Sequence, residues 1–129
     1  MDRSTRQRHA IQLVFKAADR PLNIRDVHDA GRKILPALGI ATVYRAVRDL
    51  LDEGWLAPVE IPGEPPYYEA AGKTHHHHFR CRKCDRLFEL QGCVSDLVEL
   101  LPPGFRLEAH DIVVYGACVN CARTRTQRH

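Results

Sequence analysis

The sequence predicts an α+β chain built in two parts, and three observations carry that prediction. Apolar residues recur at helical spacing through the first fifty or so positions and then give way to short extended runs separated by Pro/Gly turns. Beyond Gly72 the character changes to short strand-like stretches rich in histidine and cysteine. Two Cys-x-x-Cys pairs, Cys81/Cys84 and Cys118/Cys121, bracket most of that second part. A length of 129 residues suits one ordinary domain or two very small ones. The division is expected as 1–71 and 72–129, with a hinge near 69–74.

The first part reads as three helices and a hairpin. Ile11, Val14, Phe15 and Ala18 fall at i, i+3, i+4 and i+7, one apolar stripe of a helix that Asp19-Arg20-Pro21 ends. Asn23 is a suitable N-cap for a second helix with Ile24, Val27, Gly31, Ile34 and Leu35 inward, stopped by Pro36. A third helix starts near Ala41-Thr42, turns Val43, Val47, Leu50 and Leu51 inward, and stops at Gly54 as its C′ residue. Trp55 to Ile61 reads as a strand, Pro62-Gly63-Glu64-Pro65-Pro66 as a turn, and Tyr67-Tyr68-Glu69 as the return. Three short helices followed by a hairpin describe a winged helix-turn-helix. Tyr44, Arg45 and Arg48 lie outward in the first turns of the third helix, where such a fold reads base edges and phosphates. The alternative is a solvated face balanced by Asp49 and Asp52.

In the second part, His75 to Arg80 and Arg86 to Leu90 read as strands joined through the first cysteine pair. Val94 to Leu101 reads as a short helix, apolar on one side and ended by Pro102-Pro103-Gly104. Phe105 to Ala109 alternates as a strand, and Ile112 to Tyr115 reads as a buried one. A unit this small needs a staple. Four thiolates in two chelating pairs supply one, since they close a tetrahedral zinc site and leave no open position for chemistry. Redox-active dithiols or simply buried cysteines are the competing readings.

The four consecutive histidines sit inside the strand pattern. In an extended chain successive side chains point to opposite faces, so His75 and His77 share one side while His76 and His78 share the other. One strand can then serve two metal sites, drawing further donors from Glu69, Glu89, His110, Asp96 or Glu99. Imidazole and carboxylate ligands suit Zn2+, Fe2+, Mn2+, Ni2+ or Co2+, and ligand type alone does not choose among them.

Composition narrows the classes. Hydrophobic residues make up 44% and charged residues 27%, an ordinary globular balance. No apolar run approaches the ~20 residues of a membrane span. The opening residues lack a signal-peptide core, so a cytoplasmic protein is expected. The net charge of +3 is spread evenly, ten Lys/Arg against eight Asp/Glu in 1–61 and nine against eight in 62–129, so nucleic-acid binding has to rest on a local face. A zinc hydrolase using Glu89 or Glu69 as general base would need an open coordination position and a cleft, and little chain is left to build one. A non-enzymatic protein is expected. A metal buffer that binds no DNA is a further alternative.

Thr5-Arg6-Gln7-Arg8-His9-Ala10-Ile11, Gly39-Ile40-Ala41-Thr42-Val43-Tyr44-Arg45, the histidines before Cys81-x-x-Cys84, and His110 through Tyr115-Gly116-x-Cys118-x-x-Cys121 together resemble the ferric uptake regulator (Fur) family. The order and spacing match along nearly the whole chain. The resemblance implies a dimeric, metal-responsive repressor with a winged-helix domain that binds double-stranded operator DNA and a C-terminal dimerisation domain. It places Tyr44 and Arg45 at the DNA, where Thr42 and Arg48 of the same helix are expected beside them, and Cys81, Cys84, Cys118 and Cys121 at a structural zinc. Glu69, His76, His78 and Glu89 fall at a regulatory site near the hinge, and His75, His77, Asp96 and His110 at an additional site. The regulatory ion is then Zn2+ or Fe2+, with Mn2+ and Ni2+ as further options, and the role is control of iron or zinc homeostasis. A peroxide-sensing repressor is the alternative within the family. Two departures stand out: Pro21 occupies a position where many members carry a regulatory histidine, with His28 no obvious substitute, and Cys93 has no counterpart, leaving it as a buried hydrophobe, a spare ligand or a redox thiol.

Overall fold

The structure, a computed structural model, describes residues 2–73, 76–93 and 96–126, the side chains of 124–126 excepted. The chain separates into two compact units, Met1–Lys73 and Thr74–His129.

The first unit contains α1 (Arg3–Ala17), α2 (Ile24–Ile34), α3 (Ile40–Asp52) and the hairpin β1 (Leu56–Val59) and β2 (Tyr67–Ala70). Asp2 caps α1 by accepting the Thr5 N–H at 2.8 Å. Asn23 and Asp26 form a reciprocal capping box at the start of α2. The inward stripes of the three helices meet as one core of Ile11, Val14, Phe15, Val27, Val43, Val47 and Leu50, joined by Leu56 from β1. Each such side chain contributes about 1.5–3 kcal/mol on burial. β1 and β2 pair antiparallel, and Leu22 exchanges backbone hydrogen bonds of 2.9 and 2.8 Å with Tyr68, tying the α1–α2 connection to the hairpin.

Two details of this unit differ from expectation. Ile34, expected inward, is 45% exposed at the last position of α2. Leu38 fills the core there, and its Cδ2 lies 2.6 Å from where a Cβ on Gly31 would sit, so Gly31 is small to admit Leu38. α3 also begins at Ile40, slightly earlier than expected, with Gly39 as its N-cap.

The second unit is a three-stranded sheet in the order β4–β3–β5, from β3 (His77–Cys81), β4 (Leu87–Leu90) and β5 (Val113–Gly116). β3 is central, antiparallel to β4 and parallel to β5. The parallel pairing requires a crossover. Among its described residues that connection holds only a 3₁₀ turn at Leu97–Leu100, none of it buried, in place of the expected helix; Val94 and Ser95 lie outside the described residues. Phe105 to Ala109 forms no strand: it joins neither open edge of the sheet. β5 forms, yet it is not buried as expected: it is an edge strand, and Val114 and Tyr115 remain exposed. A final helix, α4 (Val119–Thr126), was not foreseen; the second cysteine pair opens it, with Ala122 N–H bonding Cys118 O at 2.7 Å.

Candidate metal centres and nucleic-acid face

The four paired cysteines converge at one end of the sheet. Cys81 ends β3, and Asp85, in the left-handed region at φ 65°, closes a tight turn that brings Cys84 back. Arg82 N–H bonds Gly116 O at 2.8 Å, which sets the approach of Cys118 and Cys121 from beyond β5. All four sulfurs lie within 4.8 Å of one another, and Cys84 Sγ is 3.8 Å from Cys118 Sγ. A tetrahedron with Zn–S bonds of about 2.3 Å has sulfurs about 3.8 Å apart, so the group fits zinc. Burial opposes the Cys81 thiolate, but backbone N–H groups of Cys84, Cys118 and Lys83 outweigh it and bring the thiol down to about 6. The Cys121 N–H likewise lowers Cys118. Burial raises Cys84, and the hydrogen bond to Cys118, followed by burial, pushes Cys121 up to about 12.

The histidine run divides between two clusters. His76 and His78 stack edge to face with ring centroids 4.8 Å apart, and His76 Nε2 is 3.4 Å from Glu89 Oε1. Glu89 reaches them because β4 pairs it opposite His78. These residues offer two imidazoles and a carboxylate, a donor set that suits a divalent ion. Glu69, in the first unit, lies on β2 opposite Ala57; it is buried, and Lys73 Nζ is 3.9 Å from its Oε2.

His77 points the other way and is 4% exposed. Its Nε2 lies 3.4 Å from Cys93 Sγ, which is 2.9 Å from His110 Nε2. Of the set expected for the additional site, the structure brings His77 and His110 together. Asp96 stands outside the group, exposed at the start of the 3₁₀ turn, and His75 lies outside the described residues. Cys93 stands between them; of its three sequence readings, the buried hydrophobe fails because the residue is exposed, and its signal was being the one cysteine of five outside a Cys-x-x-Cys pair.

On α3, Tyr44 is 59% exposed, and Arg45 and Arg48 are exposed beside it. Arg45 donates to Thr42 Oγ1 at 3.1 Å, so Thr42 orients the guanidinium. Tyr44 and Ile40 border a cleft shared with Arg25 and, from the hairpin, Pro66 and Tyr68. Burial, then the neighbouring Tyr44, raises the Tyr68 phenol above its ordinary value. Arg25 belongs to this face and escaped the sequence reading, because nothing in the pattern of α2 sets it apart.

Comparison with known proteins places this geometry. A sequence model described as the ferric uptake regulator family matches residues 2–115. The ferric uptake regulation protein of Bordetella parapertussis is 30% identical over 127 residues, 95% of this chain and 91% of that one. The zinc uptake regulation protein of Mycobacterium tuberculosis is 27% identical over 124 residues, covering 92% and 94% of the two chains. The match to the ferric uptake regulation protein of Campylobacter jejuni, in contrast, covers 55% of that protein. Among solved structures, a zinc-bound manganese uptake regulator superposes with a TM-score of 0.77 at 24% identity, covering 92% of each chain, which shows a shared fold. The relatives are named for different metals, and the chain belongs to the ferric uptake regulator family.

Proposed function

We propose that this protein is a metal-responsive, dimeric transcriptional repressor that binds operator DNA and controls iron or zinc homeostasis. The observation that carries the reading is that His76 meets both His78 and Glu89 beside β3, in a set separate from the four-cysteine group at the strand's end. The four cysteines fit a closed structural site, whereas the His/Glu set has the exchangeable donors of a sensor. When bound, a divalent ion supplies positive charge and fixed coordination angles to these side chains.

The residues divide the work. Cys81, Cys84, Cys118 and Cys121 hold the base of the second unit together. His76, His78 and Glu89 are the regulatory donors there, and filling their site changes how the reading heads are presented. In a two-fold dimer that presentation has to match two half-sites a helical repeat apart. Thr42, Tyr44, Arg45 and Arg48 supply the contacts, with Arg45 held toward its target by Thr42. Exposed apolar side chains in the second unit, among them Leu100, Phe105 and Val119, support dimerisation through that unit. Pro21, fully buried and without a donor atom, cannot stand in for a ligating histidine, which favours metal sensing over the peroxide-sensing alternative. The proposed location is the cytoplasm; among the described residues no helix is long and apolar enough to cross a membrane. The proposal includes no catalytic role.

The test is a DNA-binding titration. Duplexes selected from a random library by the metal-loaded protein are titrated after chelation and after reloading with Zn2+, Fe2+, Mn2+ or Ni2+ in turn. The expected result is a change in affinity of about 5–150-fold with one or two of these ions. Binding that is indifferent to every ion would overturn the reading.

A further inference from the structure

We infer that Cys93 is a metal ligand, so that His77, Cys93 and His110 form a thiolate-bearing centre, distinct from the four-cysteine group, that prefers zinc to iron or manganese. The inference rests on the reading of the second unit as metal-binding and goes beyond it, because it changes the donor chemistry of one site and hence the ion it selects.

Three observations carry it. The sulfur lies between two imidazole nitrogens, 3.4 Å from His77 Nε2 and 2.9 Å from His110 Nε2, and the rings are 4.9 Å apart centre to centre. Tetrahedral bonds of about 2.3 Å to sulfur and 2.0–2.1 Å to nitrogen put S and N roughly 3.5 Å apart, so the first pair is already at ligand spacing and the second has to open by roughly 0.6 Å. His77, the anchor of the group, is 96% buried (4% exposed) on the central strand and cannot swing to solvent. Finally, the acidic residue expected here, Asp96, is exposed and outside the group, so the thiol stands where a carboxylate was expected.

The substitution has a chemical consequence. Carboxylates suit hard ions such as Mn2+, while a thiolate draws the site toward softer, more thiophilic ions. There is also a built-in reporter. Ile112 N–H bonds His77 Nδ1 at 3.2 Å, which leaves the ring proton on Nε2, facing the sulfur. Coordination through Nε2 displaces that proton and requires Nδ1 to carry one, so the Ile112 bond is given up on loading. The Ile112 amide resonance therefore reports loading of this site when the wild type is compared with Cys93→Ser, since Ile112 O also accepts the His78 N–H.

The experiment uses the full chain with the four-cysteine group filled by zinc, titrated with Co2+. A thiolate ligand gives a near-ultraviolet sulfur-to-cobalt charge-transfer band, which imidazole and carboxylate ligands do not. The band is expected in the wild type, and a parallel titration with diamagnetic Zn2+ is expected to shift Ile112 in the wild type more than in Cys93→Ser. It is expected to vanish in Cys93→Ser, with Co2+ affinity at this site reduced at least ~10-fold. Cys93→Asp, a second variant, should still bind Co2+ here, without the band and with preference moved toward Mn2+. No band at saturating Co2+, a band that survives Cys93→Ser, or an Ile112 shift with Zn2+ that is the same in Cys93→Ser would each overturn the inference. Metal-dependent DNA binding that persists in any of those cases leaves the regulatory reading standing, so the two fail separately.

Discussion

Within the four-cysteine group the sulfurs do not share one proton affinity, and the difference has a measurable consequence. Cys81, which burial would raise but backbone donors hold down to about 6, is a thiolate at neutral pH. Cys84 and Cys121, raised respectively by burial and by the hydrogen bond to Cys118, carry protons there. Zinc takes thiolates, so binding at pH 7 releases protons from Cys84 and Cys121, and apparent affinity rises with pH. Calorimetry in buffers of different ionisation enthalpy should find at least two protons released per zinc; none released would contradict these assignments. On the DNA side, Arg45 is exposed and oriented by Thr42 rather than tied to a carboxylate. Arg45→Ala should weaken operator binding by about 1–3 kcal/mol, roughly 5–150-fold, with the melting temperature unchanged. A variant that binds DNA normally would remove Arg45 from the interface.

At the scale of elements, α3 shows how a stop signal works. Gly54 N–H bonds Leu51 O and Trp55 N–H bonds Leu50 O, the paired reverse bonds of a Schellman end, with Gly54 at φ 80° and open space around its missing Cβ. Gly54→Ala therefore acts through the backbone alone and should cost about 1–2 kcal/mol in urea unfolding; an unchanged midpoint would contradict the left-handed cap. This end was legible in the sequence, as were the Asn23 cap and the apolar stripes of α1 and α3, because each is fixed by neighbours a few positions away. Strand alternation was legible too, since period two needs only extended backbone: His76 and His78 meet on one side while His77 turns to Cys93. What escaped depends on tertiary company. Phe105 to Ala109 has the right pattern but joins neither open edge of the sheet, Leu38 rather than Ile34 fills the core, and Cys93 meets His110 only when the chain after β4 brings the two together.

For the molecule as a whole, the second unit has few fully buried side chains among its described residues, chiefly Cys81 and Leu87, with His77 nearly so. Its fold then depends on the four-sulfur clip, for which structural zinc supplies an apparent ~10–16 kcal/mol. Cys84→Ser should abolish the melting transition of the second unit while that of the first, with its own apolar core, remains. A zinc-free variant of unchanged stability would count against a structural role. The regulatory set is a separate matter, because losing His78 leaves the clip intact. The most direct test of the central claim is therefore operator binding by His78→Ala, measured with chelator and with saturating metal in a protein whose four-cysteine group stays filled. The account predicts a folded dimer with the metal-induced change in affinity lost or cut at least ~10-fold. A variant that keeps the full wild-type response to metal would contradict it.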